Sequence, residues 1–456
     1  SVETIGEYAF SKNAIEEVLM DGSEIREIEA YAFAENAITA FEFPSELETI
    51  GYSAFDGSVV FSTTRYNANY REENGMVIEN ATGKLTYLDK SVVSGRFVFP
   101  EGIKEIGDSL LAGCVDVVEI VLPESVTKIG ASAFEGCTRL ESINFPANLA
   151  YIGDRAFVGT KISCVSIGKN VTRIGNEAFK DVTTLTSLTF TAGGYKGLTL
   201  GKYAFAGTAI AGALVIPNRV RNESFDVIGI DDYCFSNCAG INGLIIESGT
   251  PTGLEDYALS IGQCAFKNCT ALITVNVSEI VGVTAYPDEY DSRYRKAFDH
   301  QAFRGCTALT SFDYPTSAYN VNVDLDEIRN KNGIIVGNYL FAECTNLTKV
   351  ILPDTLLTNQ KVPKSARGFT TGNNSEEAEK VNKDTIFYTG RSTGRDLFYK
   401  CSSLEYVSMG DANAYNRNGT AKTNKRNLFD SCKNTLKAFV LTGEYGAIDW
   451  KTVFGS

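Results

Sequence analysis

The chain has 456 residues, of which 44% are hydrophobic and 21% charged, ample material for a buried core. Its formal net charge of -14, with no Lys/Arg cluster to offset it locally, argues against nucleic acid or an anionic membrane surface as partner. No apolar run approaches the roughly 18 residues of a spanning helix, and His300 is the only histidine.

Read in chain order, one motif recurs from the first residues onward. An aliphatic-Gly pair and two variable residues precede a small or aliphatic residue and then Phe, as in Ile5-Gly-Glu-Tyr-Ala-Phe10 and Ile129-Gly-Ala-Ser-Ala-Phe134. The anchors are Phe10, Phe33, Phe55, Leu111, Phe134, Phe157, Phe179, Phe205, Phe235, Phe266, Phe303, Phe341, Phe398 and Phe429, spaced 22 or 23 residues apart where nothing is inserted. A fixed period in this range predicts a stacked solenoid, because one unit cannot bury its apolar face alone. Within a unit, Ile143-Asn-Phe145 alternates with a period of two and stops at Pro146, a short strand ended by a residue that cannot extend a ladder. The stretch from Ala131 to Gly136 has room for about one helical turn, given 3.6 residues per turn.

Between Phe55 and Leu111 the period is interrupted. Residues 56–105 read as a degenerate repeat holding a hairpin, two strand-like runs around Thr82-Gly83. From Phe179 onward the gap between the strand stop and the next Ile-Gly grows from the regular seven residues to ten, fourteen, fifteen, twenty-one, twenty-two and forty-one. The insertions are 191–199, 217–229, 247–260, 278–297, 315–335 and 353–392. All enter at one point of the repeat, so a solenoid projects them from one edge, a placement that often marks a binding side. Residues 437–456, with the sole tryptophan, Trp450, read as a C-terminal cap. No Pro-, Gly- or Ser-rich linker separates the halves, so residues 1–456 are expected to form one domain.

The units resemble the bacterial leucine-rich repeats of the BspA type in the Ile-Gly-x-x-Ala-Phe-x-x-Cys core, the following Leu and the Ile-x-Leu-Pro strand, as at Ile120-Val-Leu-Pro123. The resemblance covers nearly the whole chain. It implies an α/β leucine-rich-repeat solenoid or horseshoe, with a parallel sheet of short strands and one short helical turn per repeat. It further implies a non-enzymatic bacterial protein, cell-surface or secreted, that adheres to or recognises extracellular or host protein or glycan. The chain opens at Ser1 without an initiator Met, from which we expect a removed signal or anchor segment.

Cysteine and carboxylate chemistry is weighed against the repeat. Cys114, Cys137, Cys238, Cys269, Cys306, Cys344, Cys401 and Cys432 all lie three residues after an anchor, a column suited to a small buried residue. Cys164, Cys234 and Cys264 fall outside it. A zinc site from Cys234, Cys238, Cys264 and Cys269 would have spacings of four and five, poor for a structural thiolate cluster. His300 occupies the variable pair before Ala302-Phe303, a position expected to face solvent, and no Gly-x-Ser-x-Gly elbow accompanies it. Asp231-Asp232 and Asp324-x-Asp326-Glu327 lack the Gly and terminal Glu of a calcium loop. No cofactor, metal or catalytic residue is therefore predicted; a carboxylate-dependent hydrolase is the remote alternative.

The binding candidates are the aromatics of the edge loops, Tyr195, Tyr257, Tyr286, Tyr290, Tyr294, Tyr319, Phe387 and Tyr388. Tyrosine offers large contact area with a polar tip at modest entropic cost, which suits protein and sugar recognition alike, so glycan capture is the alternative within binding. The outward residues of the longer strands, such as Ser142, Cys164, Ser187, Ala213, Gly243 and Thr274, are mostly small and uncharged. They carry no aromatic row and no charge stripe.

Overall fold

Among the described residues, the Ile of an Ile-Gly pair closes a strand of two or three residues, and successive strands pair in parallel at one repeat's spacing. Ile106 faces Ile129, Ile129 faces Ile152, and Ile152 faces Ile174. All four side chains are buried. A second, longer strand follows the anchor, as where Cys164–Ile167 lies parallel to Ser187–Phe190. Here Val165 and Ile167 point into the core while Cys164 and Ser166 are exposed, the alternation a half-buried strand requires. Pro123, Pro146 and the equivalent Gly168 then open a turn whose first carbonyl accepts from the residue three positions on (Val126, Leu149 and Val171) at 3.0–3.1 Å.

The computed structural model describes residues 2–20, 22–51, 53–55, 59–63, 67–191, 198–217, 228–246, 259–276, 300–313, 339–351, 397–409, 435 and 437–441. The chain divides into two compact units, Ser1–Ile210 and Ala211–Ser456. Each unit is the solenoid of short parallel strands that the repeat predicts. The only helix among the described residues is a 3-10 turn, Lys90–Val92.

The turn carrying the anchor differs from the expected helical turn. In the coil around Phe266, the N–H groups of Ala265, Lys267 and Cys269 donate to carbonyls three residues back, at 3.0–3.3 Å. The alternate N–H groups, of Cys264, Phe266 and Asn268, instead donate to His300, Ala302 and Arg304 of the following coil at 2.8–2.9 Å. A helix would satisfy every donor internally; here half of them bind coil to coil. The turn places two residues four apart in the left-handed region, Cys264 at φ 56° and Asn268 at φ 60°. The same pair recurs at Ser132 and Gly136, at Arg155 and Gly159, and at Tyr203 and Gly207. A non-glycine residue there costs roughly 1–2 kcal/mol, which the interlayer bonds offset. Gly or Asn at the second position lowers that cost.

Successive Ala-Phe peptide groups thus form a hydrogen-bonded column. The N–H of Phe134 donates to the Ala156 carbonyl, that of Phe157 to Ala178, and that of Phe179 to Ala204. Above it the rings stack face to face, Phe134 to Phe157 at 5.3 Å, Phe157 to Phe179 at 4.8 Å and Phe179 to Phe205 at 5.1 Å. In the second unit the ladder runs through Phe235, Phe266, Phe303, Phe341 and Phe398 at 5.3–6.1 Å. Full burial of each ring is worth about 2–3 kcal/mol. The glycine of Ile-Gly is set by the same close approach: a Cβ on Gly153 would lie 2.4 Å from the Gly130 carbonyl carbon.

The first unit contains a second kind of core. Phe33, Phe41, Phe43, Phe55, Phe61, Tyr70 and Tyr87 form one buried cluster with several edge-on contacts, such as Phe61 to Tyr87 at 4.4 Å. Beside it, Met76–Glu79 pairs antiparallel with both Tyr70–Glu73 and Lys84–Leu88. Tyrosine hydroxyls tie this hairpin to its neighbours. Tyr70 accepts from the Ile50 N–H and donates to the Glu48 carbonyl, both at 3.1 Å, and Tyr87 accepts from the Val59 N–H at 2.9 Å. Burial pushes the Tyr70 hydroxyl up to about 12.

Candidate functional site

The cysteine column has a defined task. The Phe carbonyl of a coil accepts the N–H three residues on, and where the next coil carries the column cysteine its thiol donates a second bond to that carbonyl. Cys137 reaches Leu111 at 3.1 Å, Cys306 reaches Phe266 at 3.2 Å, Cys344 reaches Phe303 at 3.1 Å and Cys401 reaches Phe341 at 3.0 Å. Asn36 does the same with its amide, reaching the Phe10 carbonyl at 2.7 Å and the Phe33 carbonyl at 2.8 Å. Burial pushes the thiols of Cys137 and Cys344 up to about 12 and raises those of Cys269 and Cys306 well above the ordinary thiol range. A thiol held neutral is a poor nucleophile and a poor metal ligand. Of the cysteines outside the column, Cys234 fills the small position before Phe235, Cys264 is the buried left-handed residue of its turn, and Cys164 is exposed. Among the described residues no group of three or more His, Cys, Asp or Glu is placed to hold a metal ion.

Carboxylates that a sequence offers for chemistry are largely structural as well. The Asp232 Oδ1 accepts from the Gln263 N–H of the next coil at 2.8 Å, as Asp108 does from Ala131 and Asp154 from Asn176. His300 is half-buried rather than solvent-facing, and its carbonyl is the acceptor for Cys264. Asp324, Asp326 and Glu327 lie outside the described residues.

The outer surfaces divide into three. On the anchor edge, Arg155 spans three coils, bonding Glu135 on one side and Glu177 at 2.8 Å on the other. Its hydrogen bonds hold the Glu135 carboxyl below its ordinary range. Arg304 does likewise for Glu343, at 3.0 Å. On the outward strand face, Ser142, Cys164, Ser166, Ser187, Thr189, Ala213 and Thr274 are exposed and small. Gly243, expected among them, is buried, because with no side chain of its own it lies beneath the Thr274 hydroxyl. The sequence-predicted aromatics Tyr195, Tyr257, Tyr286, Tyr290, Tyr294, Tyr319, Phe387 and Tyr388 lie outside the described residues, as does Trp450.

A third region is the coil around Phe10, which the repeat motif alone does not single out. Phe10 is 44% exposed and Tyr8 55% exposed, each stacked on one side only, against Phe33 and Tyr31. In the second coil the carbonyls of Ala30 and Ala32 accept from Tyr8 and Phe10. Their counterparts in the first coil, the carbonyls of Glu7 and Ala9, meet no donor among the described residues. The signal that points here is charge. The first fifty residues hold eleven glutamates and one aspartate against Lys12 and Arg26.

A family model of the BspA type leucine rich repeat region matches residues 1–85, 104–242, 229–286 and 319–362, more than half of the chain. Among solved structures, the chain is similar to a leucine-rich repeat protein from Eubacterium ventriosum at 19% identity and a TM-score of 0.36, covering 69% of this chain and 71% of that one. A leucine rich cell surface protein from Faecalibacterium prausnitzii is 18% identical with a TM-score of 0.27, covering 78% of this chain and 98% of its own. A leucine-rich repeat protein from Bacteroides ovatus is 18% identical with a TM-score of 0.27, covering 82% of this chain and 97% of that one. No curated protein matches. Among the described residues no helix is long and apolar enough to cross a membrane.

Proposed function

Because this chain belongs to the BspA-type leucine-rich repeat family, whose role is binding or recognition, we propose that it is a non-enzymatic surface or secreted protein that adheres to extracellular or host macromolecules. The contact surface in this proposal is the edge from which the inserted loops project. The observation that carries it is the common entry point of those insertions, each falling between a strand stop and the next Ile-Gly. Tyr286, Tyr290 and Tyr294, clustered in one insertion, are the contacts we assign first.

The packing supports a binding role over catalysis. Repeat columns absorb the residues that could have carried chemistry: the thiols are neutral hydrogen-bond donors, and Asp232 is an interlayer acceptor. The test is to screen the full chain on immobilised matrix proteins and on glycan arrays, beside a variant with Tyr286, Tyr290 and Tyr294 changed to Ala. Binding to a matrix protein that the variant loses is the expected result. Silence on both arrays, or binding untouched by the triple change, overturns the proposal.

A further inference from the structure

Buried polar side chains are satisfied in one unit of this molecule and not in the other. In the first unit Thr160 and Thr208 are buried, and each hydroxyl donates to a carbonyl three residues back, of Phe157 and Phe205, at 2.8 Å. In the second unit the buried pair is Ser236 and Gln301, 3% and 5% exposed. Gln301 accepts from Arg304 Nη1 through its Oε1 at 2.9 Å, while its Nε2 has no acceptor among the described residues. The Ser236 hydroxyl has no partner among them either. Buried polar groups are almost always hydrogen-bonded, so two exceptions on neighbouring coils call for a cause.

Both lie on the anchor edge. Ser236, Lys267 and Arg304 each directly follow an anchor, and their coils are bonded in order: the Asn237 N–H donates to the Lys267 carbonyl and the Asn268 N–H to the Arg304 carbonyl, both at 2.8 Å. Lys267 therefore stands one coil from Ser236 and one from Gln301, about 5 Å by the spacing of hydrogen-bonded strands. It is half-buried and makes no ion pair among the described residues. Arg304, by contrast, is spent: Nε and Nη2 hold the Glu343 carboxylate at 3.0 and 3.2 Å, and Nη1 holds Gln301. Between these groups the buried Cys264 thiol feels the charge of both Lys267 and Arg304.

An amide donor beside an unpaired ammonium lacks an anion, and a carboxylate fits both. The Ser236 hydroxyl, which can give and accept, matches a ligand that also carries hydroxyls. A peptide strand is a poor fit, because the backbone of these turns is used up. The N–H groups of Cys264, Phe266 and Asn268 bind the following coil and those of Ala265, Lys267 and Cys269 their own turn, leaving no main-chain donors to offer. In the column that holds Gln301 stand the half-buried Tyr233 and Tyr339, aromatic surface of the kind on which sugar rings pack.

We propose that this edge of the second unit binds a sugar acid carried on a glycan. Lys267 and the Gln301 Nε2 take its carboxylate, the Ser236 hydroxyl a ring hydroxyl, and Tyr233 and Tyr339 pack against the ring. The assignment rests on the adhesive role proposed above and names a ligand class for it, on residues of the repeat rather than in the inserted loops.

The test uses the full chain in titration calorimetry with sialyllactose and glucuronic acid, their neutral counterparts lactose and glucose, and a short acetylated peptide bearing two glutamates. At least one acidic sugar should bind about tenfold or more tightly than its neutral counterpart, and salt should weaken that binding. Lys267→Met should weaken it about tenfold, and Gln301→Glu, which keeps an oxygen for Arg304 but turns the donor into an acceptor, should abolish it. Should Gln301→Glu fail to fold, Lys267→Met decides alone. The variant with Tyr286, Tyr290 and Tyr294 changed to Ala should bind the sugar as the parent does, so either proposal can fail while the other stands. Absence of binding, equal binding of acidic and neutral sugars, tighter binding of the glutamate peptide, or affinity untouched by Lys267→Met overturns the assignment.

Discussion

Phe10 and Phe157 are the same residue of the same motif, with the same forward hydrogen bond and the same ring stacked behind. One is 44% exposed and the other fully buried. Phe157 lies between Phe134 and Phe179, whereas Phe10 has Phe33 alone. The contrast shows that the motif does not create burial by itself. It specifies a shape that is buried only when a neighbour arrives on each side, the nearest-neighbour logic of repeat arrays.

Removing the ring gives the largest test of that contrast. Phe157→Ala should cost about 3–5 kcal/mol in urea denaturation, as for a fully enclosed aromatic, and Phe10→Ala well under half of that. Equal losses would break the comparison. The glycines come next. Gly153→Val should cost about 1–3 kcal/mol or more by overpacking against the Gly130 backbone, and Gly6→Val close to nothing. Asn36→Leu, which takes the amide donor from the Phe33 carbonyl and the acceptor from the Ile15 N–H, should cost about 1–3 kcal/mol. Its thiol counterpart Cys306→Ala should cost about 1 kcal/mol, since S–H is a weak donor.

The smallest effect is one of pH. Burial raises the Cys137 thiol from its ordinary 9.0 to about 12. The folded state therefore favours the protonated form, and the stability this contributes is fully present below pH 9 and lost as pH rises towards 12. The urea midpoint should decline over that window, and less steeply in Cys137→Ala than in the parent. A slope unchanged by the substitution would mean that the thiol is not held neutral. With a thiol reagent on the native chain, exposed Cys164 should label well before Cys137, Cys306 or Cys344.

Much of this architecture was legible in residue order because it rests on columns that repeat. Ile129, Ile152 and Ile174 mark the short strands, Val165 and Ile167 the inner face of a longer one, and Cys306 a small buried donor. The turn was not. Ala131 to Gly136 has the length and composition of a helical turn, and what excludes a helix is the pairing of the Phe N–H with a residue in another coil. That partner lies one repeat away and leaves only a faint mark, the Gly or Asn two places after the anchor at Gly136, Gly159, Asn237 and Asn268. His300 was misjudged for a related reason: the variable pair touches the neighbouring coil through its backbone, whatever its side chain. Gly243 escaped because the rule of alternation describes side chains, and a glycine is covered by those around it. For the edge aromatics, Tyr286 among them, composition supplies the only argument, since no column constrains them.

The distance along the chain between successive anchors has one more consequence. Phe157 and Phe179 are 22 residues apart in sequence and Phe341 and Phe398 are 57, yet both pairs stack nearly parallel, at 4.8 and 6.1 Å. Closing the longer loop costs about 0.8 kcal/mol more in chain entropy, and contacts between distant residues form late. Folding should therefore nucleate in the uninterrupted coils from Glu105 to Phe179, where each new turn finds its template within two dozen residues. The long-looped coils would follow, last to form and first to open.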